Sequence, residues 1–234
     1  MIGDSIKMEF DFHDGNGPVP AHQHPHGGGW VANTATIDDT AFIGPNACVY
    51  GKAIVRNRAR ITDNASVLGN ANVLDDAEVG GSARVRQNAK ITGDAKVIGN
   101  ANIGGHAEVR DNAIVRDDTF VLENAMVRGN ATISGHATLS GNAILRDRAL
   151  LCDSAWVFGN AIIFDNAVVR DKSIVHEKAV VSGNAEVYDV ASVRGHVWVR
   201  ENAKISGDAD VSGVTIVEGD TILNGIAKPF RSVM

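Results

Sequence analysis

Histidine is the residue type in this sequence best suited to acid–base chemistry, because its imidazole changes charge near neutral pH. Four of the eight histidines, His106, His136, His176 and His196, lie in the middle and C-terminal parts of the chain. His136 and His176 are nearest to its most apolar part, which makes them the candidates for a general base acting on a hydroxyl or an amine. The alternative interpretation is that these histidines are turn residues on exposed corners.

A second group of histidines, His22, His24 and His26, alternates with other residues near the N-terminus. Alternate residues of an extended strand face the same side, so three imidazoles could meet a metal ion there. Pro25 and the neighbouring glycines favour a polar loop instead. The sequence therefore predicts no metal site, and these three histidines are the candidate ligands that would contradict that prediction.

Three arginines, Arg110, Arg128 and Arg146, recur at one constant interval. If that interval makes one turn of a regular structure, these side chains stack about 4.8 Å apart, the spacing of neighbouring strands. Such a column of guanidinium groups could bind a phosphate-bearing ligand. Alternatively, Asp111 and Asp147 neutralise the column, which is then a solvated or interfacial charge ladder.

The composition excludes several classes of protein. The 234 residues carry a formal net charge of −6, which argues against a non-specific nucleic-acid coat rich in Lys and Arg. No apolar run reaches about 18 residues, so we expect no membrane span. The N-terminus lacks the pattern of a signal peptide, so we expect a cytoplasmic or virion-associated protein. With only Cys48 and Cys152, a disulfide framework is excluded as the source of stability.

A repeat of six residues runs from Gly29 to Ile226 without an insertion or a deletion, giving 33 units. The first residue is Ala in 27 units, the third is always Val, Ile or Leu, the fifth is mostly Gly or Asp, and the sixth is most often Asn. A period of six fits the two-residue period of a strand and not a helix. Each unit therefore predicts a short strand with its first and third residues facing inward. A tight turn follows, at residues that tolerate left-handed backbone angles.

These units resemble the hexapeptide repeat of left-handed parallel β-helices, in which an aliphatic residue is followed four positions later by a small one, as in Val67 and Ala71. In that family three hexads form one triangular coil. The resemblance implies an all-β chain with a single left-handed parallel β-helix of about 11 coils over residues 29–226. An N-terminal cap over residues 1–28 and a C-terminal cap or tail over residues 227–234 would cover the two ends of the solenoid.

Both predicted caps contain aromatic residues. Residues 7–12 alternate and predict a strand, and we expect Phe10, Phe12 and Trp30 to shield the open first coil. At the other end Pro229 stands where the aliphatic residue belongs and ends the repeat, so Phe230 is the candidate to plug the last coil.

A narrower resemblance concerns residues 26–31, His-Gly-Gly-Gly-Trp-Val, followed by many Asn-Ala-x-Val units. This combination is similar to uncharacterised hexapeptide-repeat proteins of bacteria and phages. The best-known enzymes of the wider family are acyltransferases that bind an acyl-coenzyme A between subunits and usually extend a long loop from one coil. The 33 unbroken hexads leave no such loop here.

The second residue of each hexad is expected to point outward. Strand propensity explains single apolar residues at such positions, whereas a continuous apolar stripe is typical of an interface. We therefore expect a homo-oligomer, most simply a trimer with parallel axes. One outward column is apolar over six consecutive coils: Met126, Ile144, Ile162, Val180, Trp198 and Ile216.

Taken together, these patterns favour a non-catalytic, homo-oligomeric β-solenoid scaffold or binding protein without a cofactor, phage-associated by resemblance. One alternative is an acyltransferase that uses acyl-coenzyme A, with His136 or His176 as the base. A second alternative is a binding protein that sequesters an anionic small molecule at Arg110, Arg128 and Arg146. Neither a nucleic acid nor a membrane is an expected partner.

Overall fold

The computed structural model describes residues 8–225, and every regular element in that range is a β-strand. The strands form three sheets that are the three walls of a triangular prism, which we call faces 1, 2 and 3. Each coil of three hexads contributes one strand to each face, and 11 coils follow one another from Gly29. The predicted all-β parallel β-helix is confirmed, and its architecture agrees with the left-handed form of that fold.

Face 1 consists of 13 strands, the first two of which, β1 (Glu9–Phe10) and β2 (Val19–Gln23), precede the first coil. The third strand, β3, is Trp30–Ala32 and belongs to the first coil. The remaining strands of face 1 are Cys48–Val49, Ser66–Val67, Arg84–Val85, Asn102–Ile103, Phe120–Val121, Thr138–Leu139, Trp156–Val157, Ile174–Val175, Ser192–Val193 and Asp210–Val211.

Faces 2 and 3 have 11 strands each. The strands of face 2 are Thr36–Ile37, Ile54–Val55, Asn72–Val73, Lys90–Ile91, Glu108–Val109, Met126–Val127, Ile144–Leu145, Ile162–Ile163, Val180–Val181, His196–Val199 and Val214–Val217. The strands of face 3 are Phe42–Ile43, Arg60–Ile61, Glu78–Val79, Lys96–Val97, Ile114–Val115, Thr132–Ile133, Leu150–Leu151, Val168–Val169, Glu186–Val187, Lys204–Ser206 and Ile222–Asn224.

From β3 onward on face 1, and throughout faces 2 and 3, successive strands are parallel and in register, so each residue pairs with the equivalent residue of the next coil. Met126 pairs with Ile144, for example, and Val127 with Leu145. The backbone hydrogen bonds follow the same rule, as where the N–H of Met126 donates to the carbonyl of Ala143 at 2.9 Å. Because a strand of two or three residues cannot bury a face by itself, each coil depends on its neighbours.

The interior is filled by the first and third residues of the hexads, as predicted. Val127, Leu145 and Ile163, like nearly all of their counterparts, are completely buried. Ser173 stands at an alanine position, where its hydroxyl donates to the carbonyl of Arg170 at 2.7 Å. Thr119, also buried at an alanine position, has a hydroxyl without a partner in residues 8–225. The core is therefore almost wholly aliphatic. It tolerates a polar group best where a backbone carbonyl can accept a hydrogen bond from that group.

The corners depend on the fifth residue of the hexad, which has a positive φ in every hexad from the fourth, at Ala47, onward, such as 63° at Asp111 and 71° at Gly129. The acids at this position also have a role that the sequence did not reveal. The carboxylate of Asp111 accepts the backbone N–H of Gly129 at 2.9 Å, one coil further on. Asp165 and Gly183 repeat the arrangement at 3.0 Å. A side chain thus satisfies an N–H that the sheets leave without a partner.

The sixth residues form side-chain ladders along the corners. The amide of Asn124 donates to Asn142, which donates to Asn160, both at 3.1 Å. Each amide can donate to one coil and accept from another, so Asn suits a column of stacked identical positions. This explains the preference for Asn at the sixth position better than turn propensity alone.

Residues 8–28 form a hairpin that extends face 1. β1 is antiparallel to β2, and β2 is antiparallel to β3. Phe10 stacks on Trp30 with ring centroids 4.3 Å apart, and Phe12 stacks on Tyr50 at 4.8 Å. Trp30 and Tyr50 occupy outward positions of their hexads, so these aromatic residues pack on the outer surface of face 1. Of the strand expected over residues 7–12, the described residues 8–12 form only the shorter β1, Glu9–Phe10, and residue 7 lies outside the described residues.

The glycines before Trp30 allow the backbone to lie against the first coil. A Cβ at Gly27 would be 2.2 Å from the carbonyl oxygen of Ile43, and one at Gly29 would be 2.5 Å from the side chain of Ile43. Gly29 also donates its N–H to Ile43 at 2.9 Å. Any larger side chain would push this segment away from the coil. That residues 1–28 act as an end cap stays a prediction, and Pro229, Phe230 and the rest of the predicted cap over residues 227–234 lie outside the described residues.

Residues 8–225 contain no helix with the length and hydropathy needed to cross a membrane.

Replacing Val127 with Asp tests the assignment of the interior. Val127 is completely buried, so Val127→Asp places a carboxylate in an aliphatic core without a partner. We expect the free energy of unfolding to fall by about 3 kcal/mol or more, which lowers the midpoint of thermal unfolding by on the order of 10 °C. The control is Ser192→Asp at an outward position of face 1. Circular dichroism follows the melting of both variants, and equal melting would contradict the assignment of inside and outside.

Candidate functional site

The predicted apolar column lies on the outward surface of face 2, with one residue on each of six neighbouring, hydrogen-bonded strands. We call these six residues the stripe. The side chains from Met126 to Ile162 are half-buried. The exposed fraction falls to 8% at Val180 and then rises to 45% at Trp198 and 56% at Ile216. Their arrangement is a continuous apolar strip on a flat wall, which costs free energy when it faces water. The register of the strip follows from these pairs: Met126 with Ile144, Ile144 with Ile162, Ile162 with Val180, Val180 with Trp198, and Trp198 with Ile216.

The arginine column lies beside the stripe, at the fourth position of the face 2 hexads. A guanidinium nitrogen of Arg110 is 3.7 Å from the sulfur of Met126, a residue of the stripe. Arg146 is 2.6 Å from the carboxylate of Asp147, and its guanidinium lies 4.1 Å above the ring of Phe164. Arg128 and Arg146 share their coils with Met126 and Ile144, whereas Arg110 lies one coil before the stripe, so the two columns run side by side over two coils.

The arginines differ in how their charge is neutralised. Asp147 pairs with Arg146, as one of the two sequence interpretations required, but the carboxylate of Asp111 binds the N–H of Gly129 instead of Arg110. In residues 8–225 no carboxylate lies within 4.0 Å of Arg110 or Arg128, and the Nε atoms of both are buried without a partner. Two neighbouring positive charges thus have no acid beside them, an arrangement that Coulomb repulsion disfavours unless an anion is added.

The candidate bases His136 and His176 do not meet. His136 is exposed at the corner between faces 3 and 1, with Nδ1 3.6 Å from a carboxylate oxygen of Asp118. His176 stacks on Phe158 at 4.7 Å on face 1, about two coils further along the prism than His136. The arginine column lies at the end of face 2 next to face 3. These three elements therefore occupy different corners of one subunit, and within a subunit neither histidine shares a site with the arginines.

His22, His24 and His26 are directed to three separate partners. The Nδ1 atom of His22 is 2.8 Å from the side-chain oxygen of Asn33, and that of His26 is 3.0 Å from the carbonyl of Ala41. His24 is buried, and its Nδ1 is 3.3 Å from the backbone of His26. Across residues 8–225 no three His, Cys, Asp or Glu side chains are grouped so that they could hold a metal ion.

The two cysteines are free and lie on different faces. Burial raises the pKa of the Cys48 thiol. Burial, together with the neighbouring carboxylate of Asp153, raises the pKa of Cys152 to about 11. Since the thiolate is the nucleophile, neither cysteine is activated for covalent catalysis.

Face 1 carries an aromatic cluster that was not predicted from the sequence. Trp156 lies 4.4 Å from Phe158, which stacks in turn on His176, and Trp156 is 45% exposed. Phe158 and His176 are one coil apart in the sequence, so their stacking could have been predicted from the repeat.

A cavity of about 450 Å³ lies between the hairpin loop and face 1, and it too was not predicted. Phe12, Asp14 and Tyr50 line one side of it, and Arg84 and Arg86 line the wall of the prism. The periodicity places both arginines outward, as the second and fourth residues of one hexad, but nothing in the repeat indicates where the loop after β1 lies. The sequence therefore had no signal for a concave site here.

The fold and this surface define an all-β solenoid with a flat apolar face and a cationic edge. No protein-family model and no curated protein matches the chain. Among solved structures, the UDP-N-acetylglucosamine acyltransferase from Campylobacter jejuni is similar at 20% sequence identity and a TM-score of 0.33, over 74% of this chain and 68% of that chain. A similarity at this level carries no activity over to this chain.

Replacing Arg128 and Arg146 separately tests the charge balance of the column. Arg128→Met removes a buried unpartnered Nε and a repulsive charge, so we expect the free energy of unfolding to rise by roughly 1 kcal/mol. Arg146→Met is the matched control, because it removes a partly exposed ion pair and a ring contact, and we expect a decrease of roughly 1 kcal/mol. Thermal unfolding of the purified variants measures both. A decrease for Arg128→Met would reveal an anion or a partner's acid bound to Arg128.

Proposed function

We propose that this protein is a non-catalytic homo-oligomeric β-solenoid, a scaffold or binding protein whose copies associate through face 2. The observation that supports the proposal is the stripe from Met126 to Ile216, a continuous apolar surface over six coils. Monomeric proteins rarely expose contiguous apolar patches of this kind, because burying them is favourable. Location in the cytoplasm or in a virion is part of the same proposal.

A second copy of the chain is the partner that suits this surface best. The stripe is straight, parallel to the prism axis and roughly 29 Å long at the strand spacing of ~4.8 Å. Only an elongated partner with a straight apolar edge can cover its whole length, and every copy of this chain has one. Three prisms with parallel axes close a ring without leaving a stripe exposed, which favours a trimer.

The scaffold interpretation is also supported by the dispersion of the reactive groups. An acyltransferase needs a base, a groove for the acyl carrier and a pocket for the acceptor, all in one place. Here the candidate base His136 and the candidate phosphate ligands, Arg110 and Arg128, lie at different corners of the subunit. Away from the cavity beside the hairpin loop, the uninterrupted turns also give the prism flat walls, which bury little of a small acceptor.

Binding of an anionic small molecule by the arginine column is a second candidate function. The observation that favours it is the pair of buried Nε atoms of Arg110 and Arg128, which have no partner in residues 8–225. A phosphate-bearing ligand would satisfy both groups. Calorimetry with inorganic phosphate on the wild type and on Arg128→Met separates this function from a purely structural charge ladder, because only an anion site would lose phosphate binding in the variant.

Changing the middle of the stripe tests the association. The double variant Ile144→Lys, Ile162→Lys places two charges in the proposed interface, and we expect monomers that keep their β-structure. The matched control is Ile54→Lys with Asn72→Lys, which changes two outward residues of face 2 before the stripe begins. Sedimentation equilibrium gives the mass of each species. A wild-type protein that is monomeric at micromolar concentration would exclude the proposal.

Coenzyme A binding separates the scaffold from the acyltransferase. We expect no transfer of acetyl or succinyl groups to amines or hydroxyls, and no affinity for acetyl-coenzyme A tighter than about 1 mM, which corresponds to ~4 kcal/mol. Calorimetry with the wild type and an Arg128→Ala variant provides the measurement. Micromolar binding that disappears in the variant would replace the scaffold with the acyltransferase.

A further inference from the structure

The cavity under the hairpin loop has the features of a ligand site and takes no part in the association through face 2. It lies on face 1 at the second to fifth coils, and its volume of about 450 Å³ is in the range of small-molecule pockets. Its floor is the flat wall of the prism, with Arg84 on the strand Arg84–Val85 and Arg86 directly after it. Its other side is the loop that follows β1, with Phe12 and Asp14.

Arg84 and Arg86 differ from several other outward arginines of this protein in lacking an acid. Arg170 pairs with Asp171 at 2.7 Å and Arg194 with Asp210 at 2.8 Å. Within residues 8–225 no carboxylate approaches Arg84 or Arg86 to salt-bridge distance. Arg84 lies in the strand Arg84–Val85 and Arg86 follows it directly. As alternate residues of an extended segment the two lie on the same side about 6.6 Å apart, so their guanidinium groups can contact one anion from two directions.

The position of Arg86 is held from the coil above it. Its Nε donates to the side-chain oxygen of Asn102 at 3.0 Å. Gly104, the next residue of its column, leaves room for the side chain, since a Cβ there would be 3.4 Å from Arg86 Nε. Gly104 does not have a positive φ, so the backbone conformation does not require glycine at this position. The wall is therefore shaped around an arginine that has no charged partner of its own.

The remaining groups of the cavity suit a ligand that has both a ring and an anion. Phe12 and Tyr50 stack at 4.8 Å and present an aromatic wall. Burial, with Asp14 adding to it, raises the pKa of the Tyr50 hydroxyl, which therefore stays protonated as a donor. The carboxylate of Asp14 accepts the N–H and the side-chain amide of Asn16, both at 3.0 Å, and leaves the two arginines free.

We propose that this cavity binds a phosphomonoester carried on an aromatic or heterocyclic ring. The phosphate dianion would accept hydrogen bonds from Arg84 and Arg86, which neutralise it, and the ring would pack against Phe12 and Tyr50. Guanidinium groups match the oxygen geometry of phosphate, and charge-assisted hydrogen bonds are about twice as strong as neutral ones. A carboxylate has fewer oxygens and a single charge, so it would use only part of this donor set.

Calorimetry with phenyl phosphate, inorganic phosphate and phenol tests the proposal on the full chain. We expect phenyl phosphate to bind more tightly than about 1 mM, inorganic phosphate to bind at least about tenfold more weakly, and phenol not to bind. Arg84→Gln and Arg86→Gln should each weaken the binding of phenyl phosphate by about tenfold or more. Phe12→Ala should weaken phenyl phosphate and leave inorganic phosphate unchanged.

Arg194→Gln is the matched control, because Arg194 occupies the same position of its face 1 hexad as Arg86, six coils away. This variant should bind phenyl phosphate like the wild type. Arg84→Lys keeps the positive charge at Arg84 and should bind phenyl phosphate more tightly than Arg84→Gln does. This comparison tests the role of the charge separately from any effect of the substitution on folding. A dissociation constant of the wild-type protein for phenyl phosphate weaker than about 1 mM would overturn the proposal. Binding that is unchanged in both glutamine variants would overturn it as well.

Discussion

The parallel pairing of each residue with the residue one coil further on is the constraint on which the rest of this structure depends. It stacks the aliphatic third residues into a continuous dry interior, as for Val127 and Leu145. It also stacks the outward residues, so residues of one chemical type that recur once per coil form a continuous surface along the prism. The stripe, the arginine column, the asparagine ladders and the stack of Phe158 on His176 are all products of this one rule. Because each coil contacts only its neighbours, the cohesion of the prism is a sum of similar local contributions.

The same rule explains which features could be predicted from the sequence. The inward position of Ile163, the outward position of Trp198 and the columns of Met126 and Arg128 follow from counting, because no insertion disturbs the period. Counting also places residues at corners, but it does not tell what their side chains bind. Asp111 was an expected partner of Arg110, whereas it accepts the N–H of Gly129, since a backbone donor one coil away offers the better geometry.

The features that could not be predicted arise where the period is absent. The stacking of Phe10 on Trp30 and of Phe12 on Tyr50 requires the hairpin to fold over the outside of face 1, a long-range contact without a local signal. The cavity beside Arg84 and Arg86 exists only because of that fold. The chemical groups of this protein are therefore divided between a regular wall, which can be derived from the repeat, and an irregular loop, which makes part of the wall concave.

The face on which a residue lies depends on the number of hexads that precede it, and this limits how such a chain can change its length. Removing three consecutive hexads between Arg86 and Met126 would shorten the prism by one coil and leave every face as it was. Removing a single hexad would turn all later residues by one face, so that the stripe would leave the wall it shares with Thr36 and Ile54 and continue on the wall of Arg84. The relative direction of the hairpin and the stripe is thus preserved only by insertions and deletions of whole coils. Gene segments that encode one whole coil are the natural unit in which a solenoid of this kind can grow or shrink.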